Sequence, residues 1–304
     1  MPSLSVVLPA YNEEENLART VEVLSGLLER EKIDFELLFV DDGSRDGTWT
    51  EICRVHEADD RVHGIQFSRN FGKEAAISAG LETARGDCVA VMDCDLQHPP
   101  ETLVGMYRLW QQGYEIIEGV KASRGKESAA HRTAAGMFYK LMSGAIGIDM
   151  SRASDFKLLD RRAVNSLLSM PERRPFFRAM SSWVGYKSTQ LEFDVQERQA
   201  GESKWSTGKL IRYAIDNIAG FTTVPMQFVT WAGVAVLLFS ILMGIQTLIR
   251  YFTHHAVEGF TTVIILLLFI GSIVMISIGI IGYYVARIFE EVKSRPRYIV
   301  SRRV

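Results

Sequence analysis

The sequence predicts a mainly parallel α/β domain, then an amphipathic interfacial helix, then two transmembrane helices. Three observations carry that expectation. Short β-rich runs alternate with helical stretches early in the chain, the pattern of a parallel sheet covered on both faces. Those runs stop on polar or acidic residues, at the place where such sheets bind ligands. Further on, residues 226–249 and 262–286 carry no charge, and each is longer than the ~20 residues a helix needs to cross the hydrocarbon core.

Leu4 to Leu8 is a β-rich run closed by Pro9, and Asn12-Glu13-Glu14-Glu15 opens a helix with an N-cap and an acidic first turn. Phe35 to Val40 is a second strand, ending at Asp41-Asp42-Gly43-Ser44, and Asp46-Gly47-Thr48 starts the next helix. Val62 to Phe67 is the third strand, from which Arg69-Asn70-Phe71-Gly72-Lys73 leads into an Ala-rich helix. Cys88 to Met92 is the fourth, and it runs into Asp93-Cys94-Asp95-Leu96-Gln97-His98 before a Pro99-Pro100 helix start. Gly208 to Val224 sets Leu210, Ile211, Ala214, Ile215, Ile218 and Phe221 at helical spacing among polar residues, which reads as a helix lying in the membrane interface. The expected boundaries are a soluble domain over 1–205, the juxtamembrane helix over 206–225, spans over 226–250 and 262–287, a short external loop over 251–261, and a basic tail over 288–304.

Charge sets the orientation. Arg287, Lys293, Arg295, Arg297, Arg302 and Arg303 follow the second span, whereas Arg250 is the only Lys or Arg between the spans. Positive residues stay inside, so the N-terminal domain and the C-terminus are expected in the cytoplasm, on a multi-pass protein of the inner (cytoplasmic) membrane. Met1-Pro2-Ser3 leads directly into a strand, and no signal peptide is expected. The net charge of −2 gives no reason to invoke nucleic acid. Cys53, Cys88 and Cys94 have no metal-ligand spacing and read as reduced, mostly buried thiols.

Neither a Gly-x-Gly-x-x-Gly after the first strand nor a Walker A sequence is present, so phosphates would have to be held in another way. Asp93 and Asp95 are the obvious means. Two carboxylates at a strand end suit a hard divalent cation, and Mg²⁺ commonly shares one or two carboxylates with substrate phosphates. Read alone, the pair is more readily an ordinary acidic turn before a helix than a metal site. Cys94 should point away from such an ion if the chain there stays extended. His98 reads as a surface histidine, because Mg²⁺ and Mn²⁺ prefer oxygen.

Several motifs in fixed order resemble the family 2 glycosyltransferases of GT-A fold: Val7-Leu8-Pro9-Ala10-Tyr11-Asn12-Glu13, Val40-Asp41-Asp42-Gly43-Ser44-Arg45-Asp46-Gly47-Thr48, and Asp93 through Glu101. Ser154-Asp155-Phe156-Lys157-Leu158-Leu159-Asp160 and Arg198-Gln199-Ala200-Gly201-Glu202-Ser203-Lys204-Trp205 resemble the polyprenyl-phosphate branch, with its dolichol-phosphate mannose synthases and bactoprenol glucosyltransferases. Two C-terminal spans favour the latter type. The resemblance implies inverting transfer of a sugar from a nucleotide sugar, UDP-glucose or another UDP-hexose by preference, to undecaprenyl phosphate. It places the base and ribose of the donor nucleotide at Pro9, Tyr11, Glu13, Asp41 and Asp42, with Asp93 at the diphosphate; Lys73 reads equally as a further contact to that diphosphate or as a solvated helix residue. It implies a divalent cation, Mg²⁺ or Mn²⁺, on Asp93, Asp95 and Gln97. It makes Asp155, as a base or as a substrate-orienting carboxylate, with Asp95 and Arg198, the catalytic set.

The acceptor chemistry follows from charge. A lipid monophosphate is mostly ionised near neutral pH, since its second pKa lies near ~6, so it needs cations more than it needs a base. Lys121, Arg124, Arg132, Arg198 and Lys204 are the candidates, Arg binding phosphate as a fork and Lys as a point charge. Lys126 reads as part of a solvated loop. Gly271, Gly279 and Gly282 could pack helices within or between subunits, so a homo-oligomer is open, as is a flippase partner for the product. A processive or non-polyprenyl membrane glycosyltransferase is the rival enzyme reading, but no Gln-x-x-Arg-Trp motif is present. A non-catalytic membrane scaffold of the same fold is the rival from another class; intact Asp93, Asp95, Asp155 and Arg198 argue against it.

Overall fold

A computed structural model describes residues 3–121, 154–170, 172, 175–194, 224–253 and 260–304. These fall into two compact units: one is built on a sheet and includes Arg295–Val304, and the other holds two long helices.

The sheet unit begins with β1 (Leu4–Ala10), α1 (Glu14–Arg30), β2 (Phe35–Asp41), α2 (Thr48–Ala58), β3 (Val62–Phe67), α3 (Lys73–Thr83), β4 (Cys88–Val91) and α4 (Pro100–Gln111). The order β4-β1-β2-β3 is parallel throughout, as the alternation of elements required. Strands covered on both faces are apolar along their length rather than alternating. Leu4, Val6, Val7 and Leu8 in β1, and Leu37, Leu38, Phe39 and Val40 in β2, are accordingly all buried. In α1, Leu17, Leu24 and Leu28 form the stripe that packs into this core. The small residues of α3 let it lie close on β1: a Cβ on Gly80 would stand 2.1 Å from Val7 Cγ1.

The sheet is wider than the four strands legible in advance. After β5 (Ile116–Lys121) come β6 (Lys157–Asp160), α5 (Arg161–Leu168), α6 (Phe177–Trp183) and β7 (Ser188–Phe193). β6 runs antiparallel to both β4 and β5, and β7 runs parallel to β5. The turn before β6 therefore brings Asp155 beside the end of β4, where Asp93 lies.

In the second unit, α7 (Val224–Phe252) and α8 (Phe260–Val292) contain the stretches Met226–Gln246 and Phe269–Val292, long and apolar enough to cross a membrane. Their apolar side chains, among them Phe228, Trp231, Leu238 and Met275, are exposed. A buried core hairpin, the alternative for such helices, would hide them. Among the described residues, a Cβ at Gly271, Gly279 or Gly282 would meet no neighbour within 4 Å, so these glycines mark no close helix contact there.

The basic tail expected over 288–304 carries secondary structure of its own. α8 continues to Val292, and Val300–Arg303 forms β8, antiparallel on β3 at the sheet edge. The reason is physical: without it β3 would present a row of unpaired backbone groups. Gly64 and Val304 exchange both backbone hydrogen bonds, and Tyr298 stacks on Phe67 at 4.9 Å. The basic side chains of Arg302 and Arg303 remain exposed, as suits an edge strand.

The expected juxtamembrane helix falls outside the described residues apart from Val224 and Pro225, and so does most of the external loop.

Candidate active site

The carboxyl ends of β1 to β4 meet in one place, and short loops there are knitted together by polar side chains. Asn12 departs from its expected role as an N-cap. It adopts a left-handed backbone, φ 56°, a conformation asparagine tolerates better than most residues. Its N–H donates to Ser44 Oγ (2.9 Å) and its Oδ1 accepts from Arg45 N (2.9 Å), tying the β1 loop to the β2 loop. Glu13 sits at the cap position with no side-chain capping bond; its Oε2 accepts from Asn16 Nδ2 at 2.6 Å. Asp46 precedes the cap residue Gly47 and accepts from the backbone and hydroxyl of Thr48 at the start of α2. Pro9 and Tyr11 are both half-buried at the same edge.

Asp41 and Asp42 are more deeply engaged than ligand-facing carboxylates would be. Asp41 is fully buried, and accepts from Ser44 N at 2.8 Å and Gln66 Nε2 at 2.9 Å. A nucleotide base reaching Asp41 would have to replace the Gln66 amide. Asp42 accepts from Phe71 N (2.6 Å) and Gly72 N (2.9 Å), which folds the β3–α3 loop back over β2. Burial pushes the Asp42 carboxyl up to about 6, against the pull of those two N–H groups. Gly43 is required here: its φ is 67°, and a Cβ would lie 2.4 Å from the Arg69 carbonyl carbon.

That loop delivers Lys73, first residue of α3, to the centre of the site. Its Nζ stands 2.6 Å from Asp93 Oδ1 and 3.0 Å from Asp155 Oδ2. Asp155 is further gripped by Arg178, Nε to Oδ1 at 2.7 Å and Nη2 to Oδ2 at 2.8 Å. Burial opposes the charge on Asp155, but Lys73 and Arg178 outweigh it and hold the carboxyl far below the usual range. Burial likewise opposes the charge of Lys73, and Asp93 and Asp155 outweigh it and raise the ammonium. Asp155 does not pair with Arg161 or Arg162, which are nearer along the chain: Arg161 donates to Gly86 O, and Arg162 pairs with Asp160 and Glu115.

The chain turns at Cys94 and Asp95 rather than staying extended; Cys94 is buried, with Sγ 3.6 Å from Pro9 O, while Asp93 and Asp95 are half-buried. Leu96 takes a left-handed backbone, φ 54°, and Gln97 N donates to Asp95 Oδ1 at 3.1 Å. Among the described residues no three His, Cys, Asp or Glu side chains converge as a metal cage. Two carboxylates and the Gln97 amide oxygen are a donor set for a hard cation that takes its remaining oxygens from water or phosphate. A positive charge, the Lys73 ammonium, already lies against Asp93, so the position fits a cation.

His98 is not the surface residue expected. It is only 8% exposed, its ring stacked on Phe156 at 4.6 Å and edge-on to Phe193, and Nδ1 is sealed without a hydrogen-bond partner. Burial lowers its pKa and keeps the ring neutral. Its covering residues lie far along the chain, so sequence spacing gave no sign of this.

Two residues absent from the sequence reading belong to the site. Arg178 lies 23 positions from Asp155, and no local motif marks it. Glu74 accepts from Phe177 N at 3.0 Å, linking α3 to α6, and burial raises its carboxyl to about 7. Beneath them Lys157, 1% exposed, pairs with Glu118 at 3.0 Å and donates to Ser181 Oγ at 2.8 Å and Arg178 O at 3.3 Å. Lys121 ends β5 and is exposed. Arg124, Lys126, Arg132, Arg198 and Lys204 lie outside the described residues.

The pattern of Glycosyl transferase family 2 matches residues 5–168. An uncharacterized glycosyltransferase of Bacillus subtilis (strain 168), YkcC, is 38% identical over 98% of this chain and 93% of its own length. A prophage bactoprenol glucosyl transferase homolog of Escherichia coli (strain K12) is 34% identical over 98% of each chain. Among solved structures, glucosyl-3-phosphoglycerate synthase from Mycobacterium tuberculosis, in complex with Mn²⁺, UDP-glucose and phosphoglyceric acid, superposes with a TM-score of 0.52. That likeness covers 72% of this chain and 78% of the other at 19% identity, which speaks to the fold.

Proposed function

The chain belongs to glycosyl transferase family 2, and on that footing we propose that it transfers a sugar from a nucleotide sugar to a polyprenyl phosphate. The observation that carries the reading is the meeting of Asp93, Lys73 and Asp155 at the carboxyl ends of the parallel strands, where open α/β sheets bind nucleotides. Similarity along nearly the whole chain to a bactoprenol glucosyl transferase homolog supports the lipid acceptor. UDP-glucose or another UDP-hexose is the donor and undecaprenyl phosphate the acceptor, with inversion at the anomeric carbon.

The roles follow from charge. The loops after β1 and β2 receive the nucleoside, with Pro9, Tyr11 and Glu13 on one side and Asp41 and Asp42 beneath. Asp93, Asp95 and Gln97 hold Mg²⁺ or Mn²⁺, which when bound neutralises the diphosphate of the leaving nucleotide. Lys73 supplies a second positive charge for that diphosphate. Asp155 stays ionised between Lys73 and Arg178, so it orients cations and does not collect a proton. The acceptor phosphate arrives already charged and attacks without a base. Lys121 marks the acceptor side, and Arg124, Arg132, Arg198 and Lys204 are assigned there from sequence alone.

The tail supports the topology. Val300–Arg303 pairs with β3, so the residues before and after the two long helices share one folded unit, which calls for an even number of crossings. With the basic flank of the second span, the catalytic unit and C-terminus lie on the cytoplasmic face of the inner membrane.

The test is to offer purified protein a panel of nucleotide sugars with undecaprenyl phosphate and Mg²⁺ or Mn²⁺, and to weigh the lipid product. A single hexosyl undecaprenyl phosphate is expected, formed from a UDP-sugar. No lipid-linked product from any donor would remove the reading.

A further inference from the structure

We propose that Arg178 is a positioning residue for the transfer: by fixing Asp155 it sets where Lys73 stands, and Lys73 holds the place of a cation at Asp93. The inference rests on the nucleotide-sugar reading above and adds a device that prepares the site for its donor.

The geometry is a chain of alternating charges. The guanidinium of Arg178 meets both oxygens of Asp155, at 2.7 and 2.8 Å, so this carboxylate cannot rotate. Asp155 Oδ2 then holds Lys73 Nζ at 3.0 Å, and the same ammonium lies 2.6 Å from Asp93 Oδ1. Two anions and two cations leave the chain balanced. Its two ends differ in exposure: the Lys73 and Asp93 side chains are 40% and 36% exposed, against 27% for Arg178 and 10% for Asp155. The outer contact is the one a ligand can replace, and the inner one stays.

The anchor is itself anchored. The Arg178 carbonyl accepts from buried Lys157, which also pairs with Glu118, and Glu118 accepts from Ser154 N beside Asp155. One residue before Arg178, Phe177 N donates to Glu74, which adjoins Lys73. The start of α3 and the start of α6 are thus linked twice, through Lys73–Asp155–Arg178 and through Glu74–Phe177. A divalent ion that takes Asp93 displaces the ammonium, and Lys73, still held by Asp155, turns towards the anionic diphosphate that accompanies the ion. The Asp93 carboxylate is spared from standing bare when the site is empty, and the site gains a cation for the donor when filled.

The test is Mn²⁺ binding to the full chain in detergent, without nucleotide, followed by electron paramagnetic resonance, with donor kcat and KM measured alongside. In Asp155→Asn, Lys73 is left with Asp93 alone, and Mn²⁺ should bind about tenfold more weakly, the scale on which an opposite charge at this range acts. In Arg178→Gln, Asp155 draws the ammonium inward, so Mn²⁺ should bind several-fold more tightly while kcat falls; damage to the fold would not tighten binding. Adding Asp155→Asn to Lys73→Gln should change Mn²⁺ binding no further, because the effect runs through Lys73. Arg178→Lys, which keeps the charge and loses the fork, carries the same test and the same direction if Arg178→Gln does not fold.

The proposal is overturned if folded Arg178→Gln binds Mn²⁺ as the wild type does or more weakly. It is also overturned if Asp155→Asn weakens binding equally with and without Lys73, or if neither the wild type nor Lys73→Gln binds Mn²⁺. These ion affinities are independent of which sugar or acceptor is used, so a failed transfer assay leaves their order standing.

Discussion

Replacing Glu74 by Gln should stabilise the protein at pH 8 and change little at pH 4.5. Burial, reinforced by the negative charge of Asp155, raises this carboxyl from 4.5 to about 7, while the Phe177 N–H, Arg178 and Lys73 pull the other way. The folded chain therefore holds the proton more tightly than the unfolded chain. Below pH 4.5 both states are protonated and nothing is lost. As pH rises through about 7 the folded state must ionise a half-buried group, and stability falls; the span corresponds to up to about 3 kcal/mol. Gln is nearly isosteric, cannot ionise, and its Oε1 can still accept from Phe177 N. At pH 8 the variant should gain up to about 3 kcal/mol, or roughly 5–10 °C in Tm for a domain of this size. The assay is thermal unfolding of the full chain in detergent at both pH values, read by tryptophan fluorescence. An equal change at the two pH values, or a loss at pH 8, would refute the reasoning.

Lys157→Met should destabilise the sheet unit by about 3–5 kcal/mol, because it removes the buried ammonium that pairs with half-buried Glu118; adding Glu118→Gln should restore part of that in denaturant titrations. Removing Tyr298–Val304 strips β3 of its edge partner and of the Phe67 stack. Amide exchange at Gly64 and Ser68, whose N–H groups donate to Val304 O and Ile299 O, should then speed up while β1 stays protected; unchanged exchange at Gly64 would count against the pairing.

The first four strands were legible because each is a short β-rich run ended by Pro9, by an acidic turn or by the polar Ser68-Arg69-Asn70 stretch. Their fixed connection to helices then forces a parallel sheet, and with it the gathering of Asp41, Lys73 and Asp93 at one edge. β5 to β8 were not legible. Val300–Arg303 is a short, polar, basic run, and what makes it a strand is the open edge of β3 far away in sequence. Asp155 was found by its motif, but its partners were not. Arg161 and Arg162 are nearer along the chain, yet α5 carries them to Gly86, Asp160 and Glu115, and α6 brings Arg178 instead. His98 was misplaced for the same reason: Phe156 and Phe193 cover it only once β6 and β7 have joined the sheet.

The central claim is that Asp93 and Asp95 hold a cation for sugar transfer to a lipid phosphate. Asp95→Asn tests it most directly, since Asn can still accept from Gln97 N and the fold should survive. With UDP-glucose, or whichever donor the panel selects, plus undecaprenyl phosphate and Mn²⁺, turnover should fall by about a hundredfold or more, with Tm unchanged. Turnover within about twofold of the wild type would contradict the account.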